Sequence, residues 1–292
     1  MKLNRDKISL ITAMVIYGTI GLFVRALSMP SAVVAFFRGL IGSMFLVAVI
    51  FSRKTGIAKD GMKDNLLLLV ISGAAIGVNW ILLFEAYRYT SVSIATLCYY
   101  LAPVFVTLLS PVILKERLTP VKILFVLLSL FGMYLISGLS GGTTGSFKGI
   151  LFGIAAAVLY ASVILMNKFI KGIGAYEKTA VQLLSATVVI LPYILISKGF
   201  SGIIFNAKSI IILLIIGVVH TGVAYWLYFG SMDGLKAQTI AIFSYIDPVV
   251  AIILSALILK EHMGLKEIIG AVLILGSTLL SDIIPSGEKD NV

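Results

Sequence analysis

Asp247 has the strongest claim to chemistry of any residue in the chain. It lies near the middle of an apolar run, 236–259, whose other charge, Lys236, sits at its edge. A carboxylate at the centre of a bilayer-spanning helix costs ~2.5–3.5 kcal/mol on insertion scales, which makes it a functional residue by default. There it could bind and release a proton or neutralise a cationic group. The competing reading is a carboxyl held by donors of a neighbouring helix for packing alone. His220, midway along the run 208–230, has the side chain suited to relaying protons near neutral pH, although a lone histidine in a helix is commonly a packed, hydrogen-bonded one. Arg38, about two turns into the run 32–51, is placed to bind an anionic group such as a carboxylate, to pair with Glu85, or to snorkel outward.

Aromatic residues accompany these charges. Tyr100 and Tyr245 stand three residues before Pro103 and Pro248 in two otherwise similar runs. Asn79 and Trp80, with Tyr225 and Trp226, could form an aromatic, hydrogen-bonding wall, and they fall too deep in their runs for an interfacial belt. Ser93, Thr96, Tyr100, Pro103, Thr107 and Ser110 recur at helical spacing, predicting one polar face on a continuous helix. Gln238, Tyr245, Pro248 and Ser255 repeat that pattern. A polar, proline-broken stripe in a bilayer must face protein or a water-filled cavity, with packing through small hydroxyl residues as the alternative.

The elements that carry these residues follow from composition. The 292 residues are 60% hydrophobic and only 12% charged, with mean hydropathy +1.10; soluble chains are typically ~45–50% apolar and ~25% charged. Spanning helices need about 20 mostly apolar residues, and ten such runs occur, near 8–28, 32–51, 65–87, 91–114, 119–138, 149–170, 175–197, 208–230, 236–259 and 265–284. Thr119 before Pro120 predicts a capped helix start. The N-terminal stretch has no A-x-A-like cleavage site and is expected to be the first membrane helix, not a signal peptide. Lysines and arginines between runs, fifteen on one side against seven on the other, predict both termini in the cytoplasm and a multi-pass protein of the cytoplasmic membrane. Arg25 and Lys168, at run ends, are expected to be snorkelling anchors.

The chain also repeats itself. Residues 77–116 align with 222–261 without a gap, pairing Gly77 with Gly222, Tyr100 with Tyr245, Pro103 with Pro248, Ser110 with Ser255 and Lys115-Glu116 with Lys260-Glu261. Tyr17 and Arg25 share the spacing of Tyr160 and Lys168. Five helices per half is an odd number, so the second half must enter the membrane from the opposite side. The expectation is an all-α membrane protein of ten helices in two inverted five-helix repeats, 1–138 and 148–284, with a linker 139–147 and a cytoplasmic tail 285–292. Inverted repeats enclosing a midplane site are a recurrent transporter design.

Several classes are excluded or weakened. The net charge of +10 lies in short breaks between apolar runs and does not point to nucleic acid. One cysteine, Cys98, rules out an internal disulfide. His220 and His262 form no ligand pattern, so no metal or cofactor is expected. There is no Walker A motif for ATP and no nucleophile–base or paired-carboxylate constellation for an enzyme. Glu116 and Glu261 are expected to orient the helix that follows each of them through its dipole. A channel or scaffold without carrier activity remains the reading from a different class.

Tyr17-Gly18 in the first run, Arg38 early in the second, and Tyr-x-x-Pro…Lys-Glu closing the fourth and ninth together resemble the drug/metabolite transporter superfamily, and within it the ten-helix EamA-type permeases. The resemblance covers residues 8–284. It implies alternating access around a central cavity, with amino acids, other metabolites or drugs as cargo and proton exchange or facilitated diffusion as the drive. On that reading Tyr17, Arg38, Asn79, Trp80, Tyr100, Tyr160, Tyr225 and Tyr245 bind substrate, and Asp247 and His220 serve coupling. The partners are then a small molecule, the lipid bilayer and protons. Asp247, whose repeat counterpart is Ala102, departs from the symmetry and leaves the coupling mechanism open.

Overall fold

The computed structural model describes residues 2–52, 59–115, 118–136, 146–197, 199–201, 203, 205–232, 235, 240 and 243–283. Among these, the regular structure is helical throughout. In chain order the helices are α1 (Lys2–Arg25), α2 (Ser31–Ser52), the short α3 (Lys59–Asp64), α4 (Leu66–Tyr89), α5 (Val92–Tyr99), α6 (Ala102–Ile113), α7 (Pro120–Ile136), α8 (Phe147–Phe169) and α9 (Ala175–Ile196). Then come α10 (Ala207–Leu214), a π-helical segment (Ile215–Val223), α11 (Ala224–Met232), α12 (Ile246–Leu257) and α13 (Leu265–Ile283). Residues 137–145, which hold most of the expected linker 139–147, and the tail beyond 283 lie outside the described residues, as do Glu116 and Gln238.

Among the described residues, seven segments are long and apolar enough to cross a membrane: Arg5–Arg25, Ser31–Ser52, Leu66–Tyr89, Val92–Ile113, Phe147–Phe169, Ala175–Ile196 and Ala207–Ser231. Pro120–Ile136 and Ile246–Leu257 are shorter apolar helices. Large apolar side chains point away from the protein along these helices; Phe51 is 73% exposed, Val112 81% and Ile196 84%. Apolar surface on that scale is stable against lipid, not water.

Local chemistry sets several boundaries. The Thr119 hydroxyl accepts the Lys122 amide at 3.3 Å and caps α7 as expected. The Ser91 hydroxyl caps α5 by accepting from the Ile94 amide. The run 91–114 is not one continuous helix: it breaks at Tyr100–Leu101, between α5 and α6. Pro103 has no amide hydrogen for the Tyr99 carbonyl, so the ladder cannot pass through this point. The predicted single polar face therefore splits, with Ser93 and Thr96 buried on α5 and Thr107 and Ser110 on α6. Helices α6 and α12 are followed by non-glycine residues in the left-handed region, Lys115 at φ 59° and Lys260 at φ 55°. After α12 the Glu261 amide donates back to the Ser255 carbonyl at 3.2 Å, closing the end of the helix.

Helix α4 packs along α8 and α9, α2 along α9 and the π-helical segment, α1 along α11 and α12, and α7 along α13. Small residues permit the closest crossings. A Cβ on Gly132 of α7 would lie 2.7 Å from the Gly270 carbonyl oxygen of α13, so the two backbones touch there. Beside this crossing the Ser129 and Ser277 hydroxyls lie 2.6 Å apart. Gln182 of α9 donates to Ser72 of α4 and to Asn167 of α8. Without water to compete, close van der Waals contact and such polar bridges hold membrane helices together.

Candidate functional site

The site is built where α1, α2, α4, α5, α8, α11 and α12 converge. Gly18 allows the closest approach, since a Cβ there would sit 2.6 Å from the Asp247 carbonyl oxygen and 2.7 Å from the Val250 side chain. The Tyr17-Gly18 pair thus seats α1 against α12 at the turn that carries Asp247, and Tyr17 projects alongside. Its ring meets Tyr225 edge-on at 5.7 Å and Tyr228 at 6.4 Å. The buried Tyr17 hydroxyl has no hydrogen-bond partner among the described residues.

A second aromatic group lies at the break between α5 and α6. Tyr99 stacks on Tyr160 of α8 with centroids 5.1 Å apart, and Tyr100 stands 6.3 Å from Tyr245. The Tyr100 hydroxyl donates to Asp247 Oδ2 at 2.8 Å. Gly18, next to Tyr17, lies against the Asp247 backbone, and Tyr100 bonds the Asp247 carboxyl, so both aromatic groups border Asp247. Asp247 is half-buried and has no ion-pair partner among the described residues.

Arg38 reaches the same centre from α2. It is 7% exposed, so it does not snorkel. Its Nε donates to Thr221 Oγ1 at 3.0 Å, and the guanidinium lies 4.1 Å over the Trp80 ring. Glu85 pairs instead with Arg88, at 3.1 Å, one helical turn along α4. Thr221, which accepts from Arg38, follows His220 on the π-helical segment, and His220 in turn meets Thr19 two residues from Tyr17. A guanidinium carries five N–H donors in a rigid fork that fits carboxylates; among the described residues only Nε has a hydrogen-bond partner.

Most other predicted site residues are present, with adjusted roles. Asn79 donates to the Ala156 carbonyl at 2.5 Å and faces the Tyr99 hydroxyl at 3.5 Å, so it braces α8 and a site tyrosine. Trp80 lies beneath Arg38. Trp226 is 44% exposed and points away from the wall it was expected to join. His220 is buried, with Nε2 2.8 Å from Thr19 Oγ1, Nδ1 3.3 Å from the Ile215 carbonyl and the ring edge-on to Phe23. Both ring nitrogens are thus occupied within the helix pair. Arg25 pairs with Glu261 at 2.5 Å and is no free snorkelling anchor. Glu261 accepts the Val92 amide at 2.8 Å, capping α5 and not the helix that follows it.

Sequence reasoning missed Tyr99, Tyr228 and Thr221. The Tyr99-Tyr100 doublet ahead of a proline was the available signal for the first. Thr221 carries no such signal, because only the pairing of α2 with the π-helical segment brings it to Arg38. Wide turns of this kind recur at functional sites, and here one turns His220 toward Thr19 and Thr221 toward Arg38.

Comparison with known proteins assigns this bundle of apolar helices, with its buried charges and tyrosines, to a family of membrane transporters. The EamA-like transporter family model matches twice, over residues 7–138 and 147–281. The chain belongs to the EamA-like transporter family. It is 30% identical over 288 residues to the uncharacterized transporter YxxF of Bacillus subtilis (strain 168), covering 97% of this chain and 91% of that protein. An uncharacterized transporter of Archaeoglobus fulgidus is 28% identical over 275 residues, covering 94% of each. A crystal structure with TM-score 0.65, at 18% identity and covering 94% of this chain and 96% of that one, shares the fold.

Proposed function

We propose that the protein is a secondary transporter that moves a small zwitterionic metabolite, an amino acid or similar compound, by alternating access, with Asp247 carrying the coupling proton. The observation that carries this reading is the pair of opposite charges that have no ion-pair partner among the described residues, around one tyrosine-lined centre. Arg38 offers its unused fork to a carboxylate. Asp247, steadied by Tyr100, offers an acceptor to an ammonium group or a proton. Tyr17, Tyr160, Tyr225 and Tyr245, with Trp80 and Asn79, supply ring faces and hydrogen bonds for the rest of the molecule. His220 is a secondary candidate for proton movement, since Thr19 and the Ile215 carbonyl already engage its ring.

Alternating access calls for ten helices in two inverted repeats, and the pattern of helix contacts supports that arrangement. Exchanging the halves carries the α4–α8 contact onto α11–α1, α4–α9 onto the π-helical segment–α2, and α12–α1 onto α5/α6–α8; α2–α9, α7–α13 and α5–α12 map onto themselves. Lys115 and Lys260, both in the left-handed region, stand 145 residues apart, the offset of the sequence repeat. Two near-equivalent halves can exchange conformations and expose a shared site to each side in turn. An even number of spans keeps both termini on one side, and the lysine and arginine bias between runs favours the cytoplasm.

Ligand-induced thermal stabilisation of the detergent-purified protein tests the charge assignment. Zwitterionic L-amino acids should raise the melting temperature. The matching amines without a carboxylate, and acids without an ammonium group, should not, and Arg38→Gln should abolish the effect. Stabilisation by apolar cations alone, independent of Arg38, would favour an exporter of drugs or toxic compounds on the same fold.

A further inference from the structure

The Glu261 carboxylate joins three parts of the chain. Its Oε1 accepts from Arg25 Nη2 at 2.5 Å, at the end of α1. Its Oε2 accepts from the Val92 amide at 2.8 Å, at the start of α5, and also from the Ser255 hydroxyl near the end of α12. The side chain is only 12% exposed, whereas Arg25 is 33% exposed. The backbone is shaped for this contact: Lys260 occupies the left-handed region, and the Glu261 amide is tied back to the Ser255 carbonyl. Ser91 caps α5 at the Ile94 amide, which leaves the first amide of the helix to Glu261.

The three helices fastened here carry the site. Tyr17 is on α1, Tyr99 is at the end of α5, and Asp247 is on α12. All three are pinned at one face, and the contact links the two halves across 236 residues of sequence. We propose that Arg25, Glu261 and the α5 N-terminus form a gate latch: it holds this face closed in the conformation seen, and it must open for a small molecule to reach the tyrosine-lined centre from that side. The inference rests on the alternating-access reading, but it is tested without any substrate.

The test is cysteine accessibility in a Cys98→Ala background. Ser93, fully buried on α5, is replaced by cysteine and labelled with a membrane-impermeant methanethiosulfonate in right-side-out and in inverted vesicles. Arg25→Gln and Glu261→Gln should each speed labelling about tenfold from the Arg25 face only, and Arg25→Lys should stay near the parent rate. Unchanged rates in both glutamine variants would overturn the latch. So would equal acceleration from both faces, which marks general loosening. Glu261→Gln keeps an acceptor for the Val92 amide, so it carries the test if Arg25→Gln fails to fold. A wild type without measurable uptake leaves this readout standing, so failure of the transport assignment and failure of the latch are distinguishable.

Discussion

A guanidinium stacked on an indole and a carboxyl bound to a phenol are costly groups to place in a bilayer, and each keeps capacity unspent. Hydrogen bonds to charged groups are worth ~1.5–3 kcal/mol. Removing the Tyr100 hydroxyl as Tyr100→Phe should therefore lower transport on the order of tenfold at unchanged expression, measured as initial uptake into proteoliposomes; wild-type kinetics would detach Tyr100 from the site. Arg38→Lys keeps the charge but loses the fork and the planar stack on Trp80. Substrate affinity should fall with the fold intact, read as a raised KM and an unchanged melting temperature. Asp247 could be singled out from sequence because a lone acid in an apolar run is conspicuous. Arg38 could not be resolved among three roles, because both Thr221 and the Trp80 face reach it through tertiary packing alone.

Helices in this protein meet through residues chosen for what they lack. The α7–α13 crossing depends on Gly132 and Gly270, and Gly132→Leu forces apart backbones that now touch. Overpacking typically costs ~1–3 kcal/mol, so the variant should melt several degrees lower in a thermal scan, whereas Ser129→Ala, which loses one interhelical hydrogen bond of roughly 0.6 kcal/mol, should shift far less. Helix existence was legible in the sequence because twenty-residue apolar runs have few other meanings. Pro103 marked the neighbourhood of the break at Tyr100–Leu101 but not its exact place, since proline also sits in uninterrupted membrane helices such as α9, which contains Pro192. The π-helical segment had no signal at all. One extra residue in a helical turn alters no composition, and its stability comes from the α2 side chains packed against it.

For the whole molecule, duplication was the most legible property, because Tyr-x-x-Pro and Lys-Glu recur at a single offset. What could not be read was how the halves touch. The Glu261 contact with Arg25 and Val92 spans both halves, and sequence gives no register between helix ends so far apart. The observed contact nevertheless agrees with the charge-derived topology, which places the ends of α1 and α12 and the start of α5 on the same outer face. Reporter fusions at the two termini and after Arg25 should place both termini in the cytoplasm and Arg25 outside; termini on opposite sides would refute the ten-helix arrangement, and two external termini would refute the orientation.

The central claim is proton-coupled carriage of a small zwitterion through the Arg38–Asp247 centre. It is tested most directly by uptake of radiolabelled amino acids into proteoliposomes with and without a pH gradient, comparing wild type with Asp247→Asn. The account predicts saturable uptake that the gradient drives and the substitution abolishes. Gradient-independent uptake that survives Asp247→Asn would contradict it, leaving a facilitator in which Asp247 only holds helices together.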